Sequence, residues 1–340
     1  MLKQKHSVTV EEHGITLETG SLAKQANGAV TIQLGETTVF VAATAATSLR
    51  EGQDFFPLQV DYREKFSAAG RMPGGFFKRE GRPTEKEILT MRLTDRPLRP
   101  LFPKGFFNEV QVCGLLMTTD LVNEPDVLMV NGASAALLCS DIPWNGPIGC
   151  IRLGLVDDEF IVNPTHEQQY ESELDLIYVG NENEMMMIEG SAEELPEEQF
   201  LAALEFAQNA IQPIIKAQKE LAAKLGKEKK SFDLFTVTDE NLAFARGIVG
   251  DRLPEAVFKE EKAARQAAVD VLKKEVEEKM IERDGEDNYD SNQLMLAFEV
   301  LQEEVYRSNI LDSGKRADGR SPTDLRQIDC EIGLFPRVHG

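Results

Sequence analysis

Gly74-Gly75-Phe76-Phe77-Lys78-Arg79-Glu80-Gly81-Arg82-Pro83 brings together two side-chain chemistries that meet where a protein holds a single nucleic-acid strand. Aromatic rings such as those of Phe76 and Phe77 stack on bases without regard to sequence, at about 1–3 kcal/mol per base. Lys78, Arg79 and Arg82 can neutralise neighbouring phosphates, a contribution that weakens as salt rises. Gly74, Gly75 and Gly81 let the backbone turn and approach a strand closely. Arg92, Arg96 and Arg99 follow at spacings of four and three, so a helix and its exit turn could align them on one side. The same residues have another use. The two rings could pack on a neighbouring domain or subunit, and the arginines could pair with Glu80, Glu85, Glu87 and Asp95. Residue type alone leaves both open.

The charge distribution sharpens the question. The chain has 340 residues and a formal net charge of −21, yet Arg63 to Lys104 holds eleven basic and five acidic residues, a local net of +6, and the remainder therefore carries −27. Glu167 to Glu205 has twelve acidic residues and no Lys or Arg. An acidic body repels polyanions, while a concentrated basic patch can still capture one locally.

Composition excludes several classes. No run approaches the roughly 18 apolar residues of a membrane span, and the N-terminus lacks the apolar core and cleavage site of a secretory signal. Cys113, Cys139, Cys150 and Cys330 are scattered without Cys-x-x-Cys spacing and read as reduced, small apolar residues; His6, His13, His166 and His339 do not cluster with them. These features point to a soluble cytoplasmic protein with no structural metal, long enough for two or more domains.

The elements that must position the basic segment are legible. The stretch 7–20 alternates around His13-Gly14 as a hairpin, and 28–46 and 56–66 are strand-like. Thr84 with Glu87 forms a capping box, which predicts a helix through Glu85–Asp95 that stops before Pro97. Residues 109–121 read as a buried strand, 131–141 as a small-residue helix, 149–164 as a hairpin and 173–190 as a strand pair. Ser191 with Glu194 reads as a second capping box, opening a helical stripe from Phe200 to Leu225 that bends at Pro213. Asp239 to Arg307 is glycine-poor and amphipathic, a helical unit. Glu331 to Gly340 then resembles Glu18 to Gly28, as if a duplicated domain were beginning again.

The run from Gly70 to Phe106, the stretch Asn131 to Gly149 and Arg316-Ala-Asp-Gly-Arg320 together resemble the bacterial polynucleotide phosphorylase family over essentially the whole chain. The resemblance implies an α+β RNase PH-like domain, a mixed sheet with packed helices, at 1–230. It implies an all-helical domain at 231–310 and the start of a second RNase PH-like domain at 311–340. It also implies that Phe76, Phe77, Lys78 and Arg79 form a constriction at the mouth of a ring-shaped homotrimer and grip single-stranded RNA, with Arg82, Arg92, Arg96 and Arg99 along the path. Lys78 departs from the family's usual arginine; it keeps the charge but loses the planar fork.

The family reaction is phosphorolysis. Inorganic phosphate attacks the 3′-terminal phosphodiester of RNA and releases a nucleoside diphosphate, with Mg²⁺ stabilising the developing charge. The resemblance places that site in the second copy. In the first copy, Pro125 and Asp126 fall where a serine-rich phosphate cradle belongs, and Asp175 and Ile177 fall where a metal-binding Asp and a Lys belong. A proline offers no N–H, an aspartate repels phosphate and an isoleucine cannot replace a lysine. The expectation is therefore no catalytic and no metal residue in this chain, which binds and channels RNA for a phosphate-dependent 3′-to-5′ exoribonuclease of mRNA degradation. The alternative is a non-catalytic RNA-binding or ring-scaffold module, or an assembly protein whose arginines dock a protein partner. Degradation-complex partners such as an endonuclease or helicase are implied by the family alone, and its C-terminal KH and OB-type domains are expected to lie outside this chain.

Overall fold

Alternating apolar and polar residues along the first 120 positions build one mixed sheet in the structure, a computed structural model that describes residues 5–50, 53, 55–76 and 78–337. Its strands are β1 (His6–Val10), β2 (Ile15–Thr19), β3 (Gly28–Leu34), β4 (Thr37–Ala45), β5 (Leu58–Arg63) and β6 (Val110–Thr118), in the order β1-β2-β3-β4-β6-β5. All neighbours are antiparallel except β5 and β6, which run parallel. A parallel pair needs a crossover connection. Here that crossover carries the basic loop and the helix α1 (Glu85–Leu98).

The helix α2 (Asp126–Cys139) lies against β3 and β4 and is buried along almost its whole length. Its small residues set the spacing. A Cβ on Gly132 would come within 2.7 Å of Val41 Cγ2, and one on Gly28 within 2.0 Å of the Ala136 carbonyl oxygen. A second, antiparallel sheet follows in the order β10 (Met185–Ala192), β9 (Leu174–Gly180), β7 (Gly149–Val156), β8 (Glu159–Val162). α3 (His166–Glu171) lies between β8 and β9. α4 (Glu197–Ala210) and α5 (Gln212–Leu225) pack against the strands, and one continuous apolar core links both sheets to α2 and α5. The α+β reading of this part, a mixed sheet with packed helices, holds.

Three local expectations are corrected. α1 runs through Pro97 to Leu98 and passes into a 3₁₀ turn at Arg99–Leu101. A proline in the last turn removes only its own hydrogen bond, while Leu93 and Leu98 are buried and hold that turn to the core. Ser191 caps no helix: it is in β10 opposite Asp175, and α4 starts at Glu197 behind Pro196. The stripe from Phe200 to Leu225 is two helices that meet at Ile211, with Pro213 in the first turn of α5, where its missing N–H costs nothing.

Contacts divide the chain between Phe235 and Thr236. The second unit contains α6 (Asp239–Val249), α7 (Arg252–Val257), α8 (Lys262–Asp284) and α9 (Ser291–Ser313). Its core includes Val257, Leu272, Val276, Met280, Leu294 and Phe298. α9 ends on Gly314 in the left-handed conformation, φ 65°, and residues 315–337 are irregular with a few turns and bends, with Ile328, Ile332 and Leu334 exposed.

Candidate nucleic-acid interface and a charge-filled recess

The basic loop leaves β5 at Glu64 and enters α1 at Thr84, and one buried carboxylate ties both ends. Glu87, 4% exposed, accepts the Glu64 N–H at 2.8 Å on Oε1 and the Thr84 N–H at 2.5 Å on Oε2. The Thr84 hydroxyl in turn accepts the Glu87 N–H at 3.2 Å, completing the capping box. Arg63 Nε lies 3.5 Å from the same carboxylate, and its Nη2 donates to the Gly81 carbonyl at 3.2 Å. Burial disfavours the charge on Glu87, yet the amides of Thr84 and Glu64, the Thr84 side chain and Arg63 together hold its carboxyl below the usual range. The capping box was legible in sequence. That its glutamate also staples the far stem of the loop was not, because Glu64 lies 23 positions away.

Between the stems the loop is partly held and partly exposed. A 3₁₀ turn at Phe66–Ala69 closes on Gly70, φ 64°, and its Ala68 carbonyl accepts Thr119 N–H at 3.1 Å. Phe76 is 94% exposed; Lys78, Arg79, Arg82 and Arg92 are exposed too. Gly74 and Gly75 have no heavy atom within 4 Å of a built Cβ, so crowding does not require them, whereas Gly81 takes φ 75°, which favours glycine. Phe77 lies outside the described residues. Among those described, the side chains of Lys78, Arg79, Arg82 and Arg92 make no ion pair.

Arg96 and Arg99 are differently placed. Arg96 Nη1 pairs with Glu189 on β10 at 2.6 Å. Arg99 grips Asp95 with Nε and Nη2 at 2.8 and 2.6 Å, and donates to the carbonyls of Phe56 and Leu58 at 3.1 Å each. Its guanidinium also lies 5.7 Å from the Phe56 ring centroid. Four of the arginine-row and loop cations are thus available to a ligand, and two are engaged in holding α1 to its neighbours.

Beside α1, and bordered by the Glu189 that Arg96 holds, is a recess of about 500 Å³ that includes Lys86, Glu124, Asp126, Arg152, Asp175 and Ile177. Asp126 opens α2 and Asp175 sits on β9, the two positions at which phosphate and metal chemistry were in question. Arg152, on β7, lies between them. Its Nη2 donates to Asp126 Oδ2 at 2.6 Å and its Nη1 to Asp175 Oδ1. Burial works against the Arg152 charge, but Asp126 and Asp175 more than offset it and raise its pKa. Nearby, Glu124 binds Lys86 at 2.8 Å and His166 at 3.1 Å. Every carboxylate named here therefore has a cationic partner, with Arg152 shared between two of them, and an incoming phosphate would meet a site that still carries excess negative charge. Sequence reasoning missed Arg152. The available signal was a lone guanidinium inside the apolar strand Cys150-Ile151-Arg152-Leu153.

The profile of the 3′ exoribonuclease family, domain 1, matches residues 11–143, and that of its domain 2 matches residues 146–210. The two matches follow the two sheets. A third profile, the RNA binding domain of polyribonucleotide nucleotidyltransferase, matches residues 243–321 in the helical unit. Among curated proteins, polyribonucleotide nucleotidyltransferase of Opitutus terrae is 55% identical over 340 residues, all of this chain and 47% of that relative. The protein of the same name from Methylacidiphilum infernorum is 50% identical over 329 residues, covering 96% of this chain and 46% of the relative. The chain thus spans a little under half the length of these relatives. Among solved structures, rice Rrp46 superposes with a TM-score of 0.51 at 14% identity, over 66% of this chain and 96% of the rice chain, a likeness of fold.

Proposed function

Because the chain belongs to the 3′ exoribonuclease family and aligns along its whole length with polyribonucleotide nucleotidyltransferases, we propose that it is the RNA-gripping part of a phosphate-dependent 3′-to-5′ exoribonuclease. The complete protein shortens RNA with inorganic phosphate, releases nucleoside diphosphates reversibly and acts in mRNA degradation in the cytoplasm as a homotrimer, with an endonuclease or helicase as companions. In this reading Phe76, Phe77, Lys78, Arg79, Arg82 and Arg92 hold a single strand by stacking and phosphate neutralisation. Arg96 and Arg99 set the position of α1 behind them.

The observation that carries the reading is an exposed loop, stapled at its stems by Glu87, whose Lys78, Arg79 and Arg82, with Arg92 on α1, make no ion pair among the described residues. An anchored base reduces the ordering cost at binding, and exposed cations remain available to a strand. Mg²⁺ and phosphate serve the complete protein elsewhere. In this chain the donor set does not fit them, since the Arg152 guanidinium already bridges Asp126 and Asp175 and, among the described residues, no group of three or more His, Cys, Asp or Glu could hold a metal. No step of phosphorolysis runs through this recess. Among the described residues no helix is long and apolar enough to cross a membrane.

The test uses oligo(A), inorganic phosphate and Mg²⁺. The chain retains the oligonucleotide on a filter and releases no ADP. Retention that disappears in a Phe76→Ala, Arg79→Ala variant supports the loop. Retention unchanged in that variant moves the interaction to a protein partner, and appreciable ADP contradicts the silent recess.

A further inference from the structure

We infer that Arg152 is a tethered counter-ion: its guanidinium takes the place of a divalent cation between Asp126 and Asp175 and makes this recess blind to metal. The two carboxylates come from different layers, Asp126 from the first turn of α2 and Asp175 from β9. In the β7–β9 register Arg152 faces Ile177 and Asp175 faces Gly154, so arginine and aspartate are diagonal neighbours. Each terminal nitrogen of Arg152 serves one carboxylate, and Nε is buried with no acceptor. A guanidinium recruited only for one strong pair would present Nε and one Nη to a single carboxylate. This one is spread across two acids, as a bridging ion would be.

Among the described residues no other cation pairs directly with those acids, although Lys86 feels the charge of Asp126 from a greater distance. Glu124 is taken up with Lys86 and His166, and Glu189 with Arg96. The side chains of Arg152 and Asp126 are only 11% and 10% exposed, while that of Asp175 is 48% exposed and opens the recess to solvent. Asp126 is also fixed from behind, where its Oδ1 accepts the Val127 N–H at 2.7 Å. Removal of the arginine charge would leave two prearranged carboxylates, one of them reachable from water, without the counter-charge they share. That is the donor chemistry of a hard divalent ion, which keeps part of its water shell and takes one or two carboxylates.

The inference extends the reading of the recess as catalytically silent, and its test is separate from that of the loop. The full chain is titrated with Mn²⁺ and free ion is followed by electron paramagnetic resonance. Because so acidic a chain binds Mn²⁺ loosely all over, each result is the difference from the same protein carrying Asp175→Asn. The expected result is no difference for the wild type and a gain of one Mn²⁺ per chain in Arg152→Met, abolished by adding Asp126→Asn or Asp175→Asn. The inference is overturned if folded Arg152→Met gains no ion, or if the wild type already loses one with Asp175→Asn. Should Arg152→Met not fold without metal, the neutral variant Arg152→Met, Asp126→Asn, Asp175→Asn decides. It must fold and ignore Mn²⁺; its failure to fold would make Arg152 a packing residue and end the proposal. Oligo(A) retention on the same samples reports on the loop alone and distinguishes a failure there from a failure here.

Discussion

Salt dependence offers the sharpest measure of which cations meet RNA. Each phosphate neutralised on a single strand contributes roughly 0.7 to the slope of log K against log salt. Lys78, Arg79, Arg82 and Arg92 make no ion pair among the described residues, whereas Arg96 and Arg99 are bound to Glu189 and Asp95. Four free cations set a slope near about −2.8, a loss of roughly 50-fold in affinity between about 50 and 200 mM salt. If all six took part, the slope would be nearer about −4.2. Lys78→Ala with Arg79→Ala removes two contacts from the tip without touching the Glu87 staple, so the slope falls to about −1.4 and the loss over the same range to roughly 7-fold. Fluorescence anisotropy of labelled oligo(A) in Mg²⁺-free buffer reads this directly. A double variant with the parental slope refutes the assignment of the tip as the phosphate-contacting element, whatever its absolute affinity.

Glu189→Ala frees Arg96 from its partner on β10; the salt slope should steepen by about 0.7 if the released guanidinium reaches the strand, and stay fixed if Arg96 faces away from the path. Glu87→Ala strips hydrogen bonds from two partly buried amides and should lower the stability of the first unit by about 1–2 kcal/mol at neutral pH, read by urea denaturation. Because the folded-state pKa of Glu87 is depressed, its contribution is complete above the unfolded value near about 4.3 and is lost as pH falls through the folded one. Glu87→Gln should therefore flatten the acid limb of the stability curve. Gly28→Ala would drive a methyl to 2.0 Å from the Ala136 carbonyl oxygen, and a loss of at least about 2 kcal/mol in the same denaturation is expected; a near-neutral result would mean that β3 can slide along α2.

Much of this architecture was readable in one dimension because the interactions that decide it are local or periodic. Period-two alternation marked β1 to β4, since a sheet with one buried face imposes it on each strand separately. The Thr84–Glu87 box marked the start of α1 because both partners lie within one turn. The aromatic and basic residues of the loop were conspicuous because glycines and a proline isolate them from any apolar pattern. Local signals also misled. Ser191 and Glu194 have the spacing of a capping box, but pairing with β9 claims Ser191 for a strand. Pro97 looked like a stop, but buried Leu98 keeps the turn helical.

Tertiary structure decided the rest, and for one physical reason: charge is a property of a residue, whereas availability depends on what the fold places beside it. The sequence could count Arg92, Arg96 and Arg99 in one row. Only the approach of β10 and of the segment before β5 shows that Arg96 and Arg99 are engaged while Arg92 is open. Pro125, Asp126 and Ile177 looked unsuited to phosphate chemistry one at a time, yet it takes β7 running between α2 and β9 to set Arg152 against both Asp126 and Asp175. Sequence alone determined which chemistries this chain possesses; folding determined which of them still face the solvent.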